Sequence, residues 1–262
     1  MTDCRSLVLA VNLPYPPLCE RDLRNWQNIC GLRAVSRVGV FGLSGNPRWC
    51  GFTPPSNLEF WRLPTIAAHP VTGQMAAAYA WPFDPMGHPT DGYYSERVAG
   101  EIASILESFN PQIVVIEGVS LYRYIEIVRR FDSRIVLDCH NCEAILYQEI
   151  ADSLHGDHLP ARLIRKLLPT RTKLIEQKAV QSVDQIWVCS DDDAALMKRL
   201  YGIATPVYVV PNGVDVGAYR VTRNGQDETP SLGRKTLIFP AVFNWEPNAI
   251  AAAFLIDEFF RG

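Results

Sequence analysis

The chain has 262 residues, and its 25 basic and 28 acidic residues leave a formal net charge of −3. An apolar share of 48% with 20% charged residues is a globular composition, which excludes intrinsic disorder. The near-neutral balance argues against a nucleic-acid partner, and no run approaches the ~20 apolar residues that span a bilayer. At ~150 residues per domain, the length fits one large domain or one domain plus part of a second. Seven scattered cysteines, with no cleavable leader before the prolines at 14, 16 and 17, read as reduced thiols of a cytoplasmic protein.

Short apolar runs alternate with helical patterns along the first 210 residues. Leu7–Asn12, Val35–Leu43, Ile113–Glu117, Arg134–Cys139, Gln185–Cys189 and Val207–Val210 are apolar almost throughout. Such runs suit strands of a parallel sheet covered on both faces. A helix is expected over Glu96–Phe109, where Ile102, Ile105, Leu106 and Phe109 share a face. Another should open at Ser190, because Ser190 and Asp193 form an S-x-x-D capping box. The alternation predicts an α/β, Rossmann-like, doubly wound and mostly parallel sheet.

Residues 44–94 hold eight prolines and one short strand candidate around Leu58–Leu63. Long loops are expected there, either folded over a cleft or making an ordinary surface excursion. Arg162–Lys178 is a charge-rich amphipathic stretch. Leu163, Ile164, Leu167, Leu168, Leu174 and Ile175 occupy one sector, and Pro169 falls on the polar side, where it should kink or divide the helix. A core-packed helix with a solvated basic face competes here with a contact on a membrane surface.

The Gly/Asp/Asn/Thr/Pro-rich stretch 216–235 reads as a linker. A strand over Thr236–Val242 and a helix over Pro247–Phe260 then read as the truncated start of a second α/β domain. The expected domains are thus 1–215 and 236–262.

Ligands of open parallel sheets bind outside strand carboxyl ends. That rule nominates Asn12 to Tyr15, Glu117, Gly118, Asp138 to Asn141, Ser190 and Pro211 to Gly213. His140, directly after a strand, can donate, accept or titrate. Asp191-Asp192-Asp193 imitates a D-x-D metal motif, yet it follows a cap where acidic residues offset the helix dipole. Cys139 and Cys142 lack the second pair of a structural zinc site, and His155 and His158 lie in a Gly/Asp loop. No metal is expected. Dinucleotide-binding, P-loop and G-x-S-x-G fingerprints are absent from the sequence, so no cofactor is expected.

Four pieces, in order, resemble the GT-B glycosyltransferases of family 4. They are Asp138 to Glu143 (D-C-H-N-C-E), Glu176 with Asp184 to Ser190, Val210 to Asp215 (V-P-N-G-V-D), and Leu237 to Phe239 with Phe243 to Asn248. Asn12 to Pro17 (N-L-P-Y-P-P) also resembles the family's first-strand loop. The resemblance implies the acceptor-side first domain of a retaining, metal-independent enzyme. It would transfer a sugar from a nucleotide-sugar donor to a saccharide or lipid-linked acceptor, placing the protein in polysaccharide biosynthesis. His140 would contact the transferred sugar, Asn12, Tyr15, Glu117, Asn141 and Glu143 the acceptor, and Asn212-Gly213 the hinge. Basic and acidic groups gripping the donor would lie beyond Gly262. Two positions depart from the pattern. Cys19 and Ala241 stand where glycine is expected, and a β-carbon at Ala241 would crowd the donor's phosphates. A non-catalytic binding module that keeps the first-domain fold is the alternative.

Overall fold

A computed structural model describes residues 4–17, 19–44, 57–65, 87–153, 159–213, 238–241, 243 and 246–259. Seven strands form one parallel sheet: β1 Arg5–Asn12, β2 Arg37–Ser44, β3 Phe60–Arg62, β4 Ile113–Glu117, β5 Arg134–Asp138, β6 Gln185–Val188 and β7 Val207–Val209. Their order is β3-β2-β1-β4-β5-β6-β7, with every neighbouring pair parallel. The helices are α1 Glu20–Arg33, α2 Glu96–Phe109, α3 Tyr122–Val128, α4 Glu143–Ser153, α5 Leu159–Gln181, α6 Asp191–Tyr201 and α7 Glu246–Phe254. The architecture is the expected Rossmann-like one.

Strands β1, β2, β4 and β5 are apolar along most of their length because both faces are covered. Leu7, Leu9 and Val11 of β1 face a core shared with Ile102 and Leu106 of α2, Tyr124 of α3, Val180 of α5 and Met197 of α6. Val8 points the other way, with Val40, Val115 and Val136, toward Ile29 and Leu32 of α1. Each such side chain contributes ~1.5–3 kcal/mol on burial. Truncating Ile102 to alanine would therefore cost ~2–5 kcal/mol. Helix α2 ends at Asn110, whose φ of 45° is the left-handed conformation that closes a helix.

The second strand starts two residues later than expected. Val35 lies in the turn after α1 and is 66% exposed, so it belongs to neither core. Helix α5 also differs from its reading. It runs unbroken through Pro169, which is buried rather than on a polar side, while Leu174 is 58% exposed. The buried stripe is Pro169, Thr172, Glu176, Ala179 and Val180. Two polar residues sit in it because each finds a buried partner, which a hydrophobic tally does not register.

The chain divides into two compact units, 1–213 and 214–262. Linker 216–235, most of loop 44–94, and His155 and His158 lie outside the described residues. In the second unit, residues 238–241 are not a strand, contrary to the reading of Thr236–Val242. A strand needs a partner ladder, and the described residues of that unit contain none. Helix α7 is followed by a π-helical turn at Leu255–Phe259.

Candidate functional site

The strand order reverses between β1 and β4, and the crevice outside their carboxyl ends is where such sheets bind ligands. Asn12 ends β1, Glu117 ends β4, and Asp138 ends β5 in register with Glu117. Gly118 turns the chain away directly after Glu117, with a φ of 62° that favours glycine, and its N–H donates to the Asp138 carbonyl at 2.8 Å.

Glu117 is 3% exposed, and its Oε2 accepts the Val11 N–H at 2.7 Å. Arg21 Nε lies 3.1 Å from Glu117 Oε1, an ion-pair contact without the alignment of a hydrogen bond. Burial pushes the Glu117 carboxyl up to about 7, against the opposing pull of Arg21 and Val11. Asp138 is almost fully buried and accepts Arg24 Nη2 at 2.6 Å, Arg24 Nε at 3.1 and 3.2 Å, and Asn28 Nδ2 at 2.8 Å. Burial raises this carboxyl too, while Arg24 holds it down.

His140 is 14% exposed, with Nε2 3.8 Å from Asp138 Oδ2, beyond hydrogen-bond reach. That nitrogen is buried without a partner among the described residues. Burial, then the nearby cations of Arg24 and Arg21, lower its pKa to about 3, so the imidazole is neutral at working pH. Since Asp138 already accepts from Arg24 and Asn28, it does not take the ring's proton.

Asn141 is exposed on the same loop, and Glu143 opens α4. Burial, then the Glu176 carboxylate, raise Glu143 to about 7. The remaining nominated residues are placed differently. Asn12 Oδ1 accepts the Ser44 hydroxyl, and the Tyr15 ring packs 4.7 Å from that of Trp26 on α1. Asn212 Oδ1 accepts Arg24 Nη1 at 3.0 Å, its Nδ2 donates to Glu20, and both backbone groups of Gly213 bond Gln27. Asn212-Gly213 is thus fastened to α1, and through Arg24 to the Asp138–His140 corner. Ala241 lies in the second unit.

Sequence reasoning missed α1. Arg21, Arg24, Asn25 and Asn28 recur at helical spacing on the helix after the first strand, and that polar stripe is the signal for them. Asp191 to Asp193 form the first turn of α6, where Ser190 Oγ accepts the Asp193 N–H at 3.1 Å, the half of the capping box that forms, while the Ser190 hydroxyl donates to the Asp193 carboxylate. Cys139 and Cys142 are buried free thiols. Among the described residues, no group of three or more His, Cys, Asp or Glu side chains is arranged to hold a metal ion. Nor is any described helix long and apolar enough to cross a membrane.

The family model for Glycosyltransferase Family 4 matches residues 64–218, more than half of the chain. The chain belongs to that family. For this family 4 chain no curated protein matches. Among solved structures, sucrose-phosphate synthase from Thermosynechococcus elongatus is similar over 82% of the chain, at 12% identity and a TM-score of 0.58. Arabidopsis thaliana UGT89C1 complexed with UDP is similar over 82% at 12% identity and a TM-score of 0.46, covering 50% of that chain. The family 4 chain spans 49% of the synthase, and that likeness concerns the fold.

Proposed function

We propose that this family 4 chain is the acceptor-side domain of a retaining, metal-independent glycosyltransferase. The donor is a nucleotide sugar, and the acceptor a saccharide or lipid-linked hydroxyl. The observation that carries the reading is His140, a neutral imidazole at the mouth of the sheet whose buried Nε2 has no hydrogen-bond partner among the described residues. A neutral imidazole aimed at a sugar hydroxyl or the departing phosphate donates a hydrogen bond where charge develops. Glu117, held beneath the crevice, and Asn141 and Glu143 on its rim supply acceptor groups for sugar hydroxyls. Asn12 and Tyr15 border the same mouth.

In this reading the acceptor-side domain covers 1–215, the linker 216–235, and a donor-side domain begins at 236. Asn212-Gly213 forms the near side of the hinge, and Ala241 faces the donor phosphates. Exposed Leu174 beside Lys173 on α5 suits a lipid-linked acceptor presented at a membrane surface.

The test is His140→Ala in a polypeptide that joins this chain to a complete donor-side domain. Because Nε2 gives up no hydrogen bond to a described residue, folding should stay nearly intact, below the ~1–3 kcal/mol of an orphaned buried partner. Transfer, measured as kcat/KM over a panel of nucleotide sugars, should fall ~10²–10³-fold. A stable and fully active variant removes His140 from the site. No transfer from any donor favours the non-catalytic binding module.

A further inference from the structure

Among the described residues, the backbone around His140 bonds to few partners in other elements. Cys139 N–H donates to the Trp187 carbonyl at 2.8 Å, and the Cys189 thiol donates to the His140 carbonyl at 3.2 Å. On the other side, the N–H groups of Glu143 and Ala144 donate to the two oxygens of one carboxylate, Glu176, at 2.9 and 3.1 Å. Those are first-turn donors of α4, which have no partner within the helix. Glu176 comes from α5, is fully buried, and also accepts the Tyr201 hydroxyl at the end of α6. A carboxylate at a helix N-terminus meets both the free N–H groups and the positive end of the dipole.

We propose that Glu176 is the positioning residue of His140: by bridging the Glu143 and Ala144 amides it fixes the strand-to-helix loop that carries the imidazole. The proposal rests on reading His140 as the site's reactive side chain. Two residues, Asn141 and Cys142, separate the imidazole from the first bridged amide. Without the bridge, the hydrogen bonds that tie the loop to other described elements are those of Cys139 and His140 on the β6 side. The charged groups near the ring are Arg21 and Arg24 from α1 and Asp138 on β5. A displaced ring leaves that surround and meets water.

A purely structural role for Glu176 would be to hold α5 against the sheet, and one turn earlier a second histidine reports on that docking. His88 Nε2 is bonded to Thr172 Oγ1 of α5 at 2.9 Å, and its Nδ1 to Thr90 Oγ1 at 2.8 Å. The experiment is imidazole NMR across a pH titration of the full chain and of Glu176→Gln and Glu176→Ala. In the parent chain His140 and His88 should both stay neutral to below pH 5. In Glu176→Ala the His140 midpoint should rise to about 6.5, the value of a solvated imidazole, while His88 does not move. Glu176→Gln replaces one acceptor by a donor facing an N–H, so it should give an intermediate rise. Should both histidines move together, Glu176 is a docking residue; if neither moves in the folded variants, the loop holds without it. Either result overturns the proposal. A Glu176→Ala chain that fails to fold leaves the decision to Glu176→Gln, where an unmoved His140 overturns it. None of these readings depends on transfer activity, so an inactive His140→Ala or a silent one is judged separately.

Discussion

Arg24 grips Asp138 with Nε and Nη2, at distances from 2.6 to 3.2 Å, and both side chains are at least 98% buried. The same guanidinium donates from Nη1 to the Val210 carbonyl at 2.6 Å and to Asn212 at 3.0 Å. One cation on α1 therefore holds the end of β5 and the segment after β7 at once. Two desolvated charges persist here because the planar fork of arginine satisfies several acceptors together.

Arg24→Met should lower stability by ~3–5 kcal/mol, because Asp138 is left charged and buried without its counter-ion. Adding Asp138→Leu should recover part of that loss, since the uncompensated charge is then gone. Denaturant midpoints of the two variants check this. A single-variant loss below ~1 kcal/mol would put the pair at the level of a surface ion pair.

The pH profile of stability should contain opposed contributions. Glu117 and Glu143 are raised to about 7, chiefly by burial, so the folded state holds their protons longer than the unfolded one. Their contribution is complete below about pH 4.5 and is lost as pH rises through about 7. His88 and His140, lowered to about 4 and about 3 by burial, act in reverse. Below ~6.5 the unfolded chain takes protons that the folded chain refuses, so stability falls as the solution is acidified. Glu117→Gln should therefore gain on the parent chain as pH rises from 4.5 to 7. Parallel profiles for the two proteins would show that Glu117 does not titrate in that window.

Ser190→Ala should cost ~1 kcal/mol, the worth of a side-chain cap, because Asp193 N–H loses its acceptor. The same thermal midpoints, taken with and without added Mg²⁺ or Mn²⁺, should coincide for the parent chain. A rise with metal that disappears in Asp191→Asn would return the aspartate run to metal binding.

Gly42→Ala should destabilise by ~1–3 kcal/mol. A β-carbon at Gly42 would lie 2.8 Å from the backbone nitrogen of Leu13 and 2.9 Å from its side chain. The clash falls where β1 and β2 end together, beside Asn12 and Ser44. Urea midpoints and the Trp26 emission of the variant check it, and an unchanged midpoint would mean the Leu13 loop yields freely.

The sheet was legible in the sequence because a strand covered on both faces must be apolar on both, as β4 is until it ends at Glu117. The places of His140 and Glu117 at strand ends were legible because the ends of β4 and β5 were. Arg24 was not, and Glu176 entered only as part of the family resemblance with no role attached, since each acts on a residue far along the chain: Arg24 on Asp138, Glu176 on the amides at 143 and 144. Helix α5 misled for a related reason. Its buried face holds Thr172 and Glu176, whose burial depends on His88 and on the start of α4 rather than on their own polarity. Residues 238–241, expected in a strand, are not one, because β-branched composition supplies no ladder partner and the described residues of that unit offer none.

The fastening of residues 210–213 to α1 has a mechanical consequence. Glu20, Arg24 and Gln27 stand at successive helical turns and take hold of Asn212, Val210 and Gly213. β7, by contrast, is three residues long and lies at the sheet's margin. Tension applied downstream of Gly213 is therefore carried into α1 before it reaches the edge strand. Arg24 passes that load on to Asp138, two residues from the imidazole. In a pulling experiment with attachment points at residues 5 and 213, the first rupture should report the α1 fastening, and Gln27→Ala should lower its force.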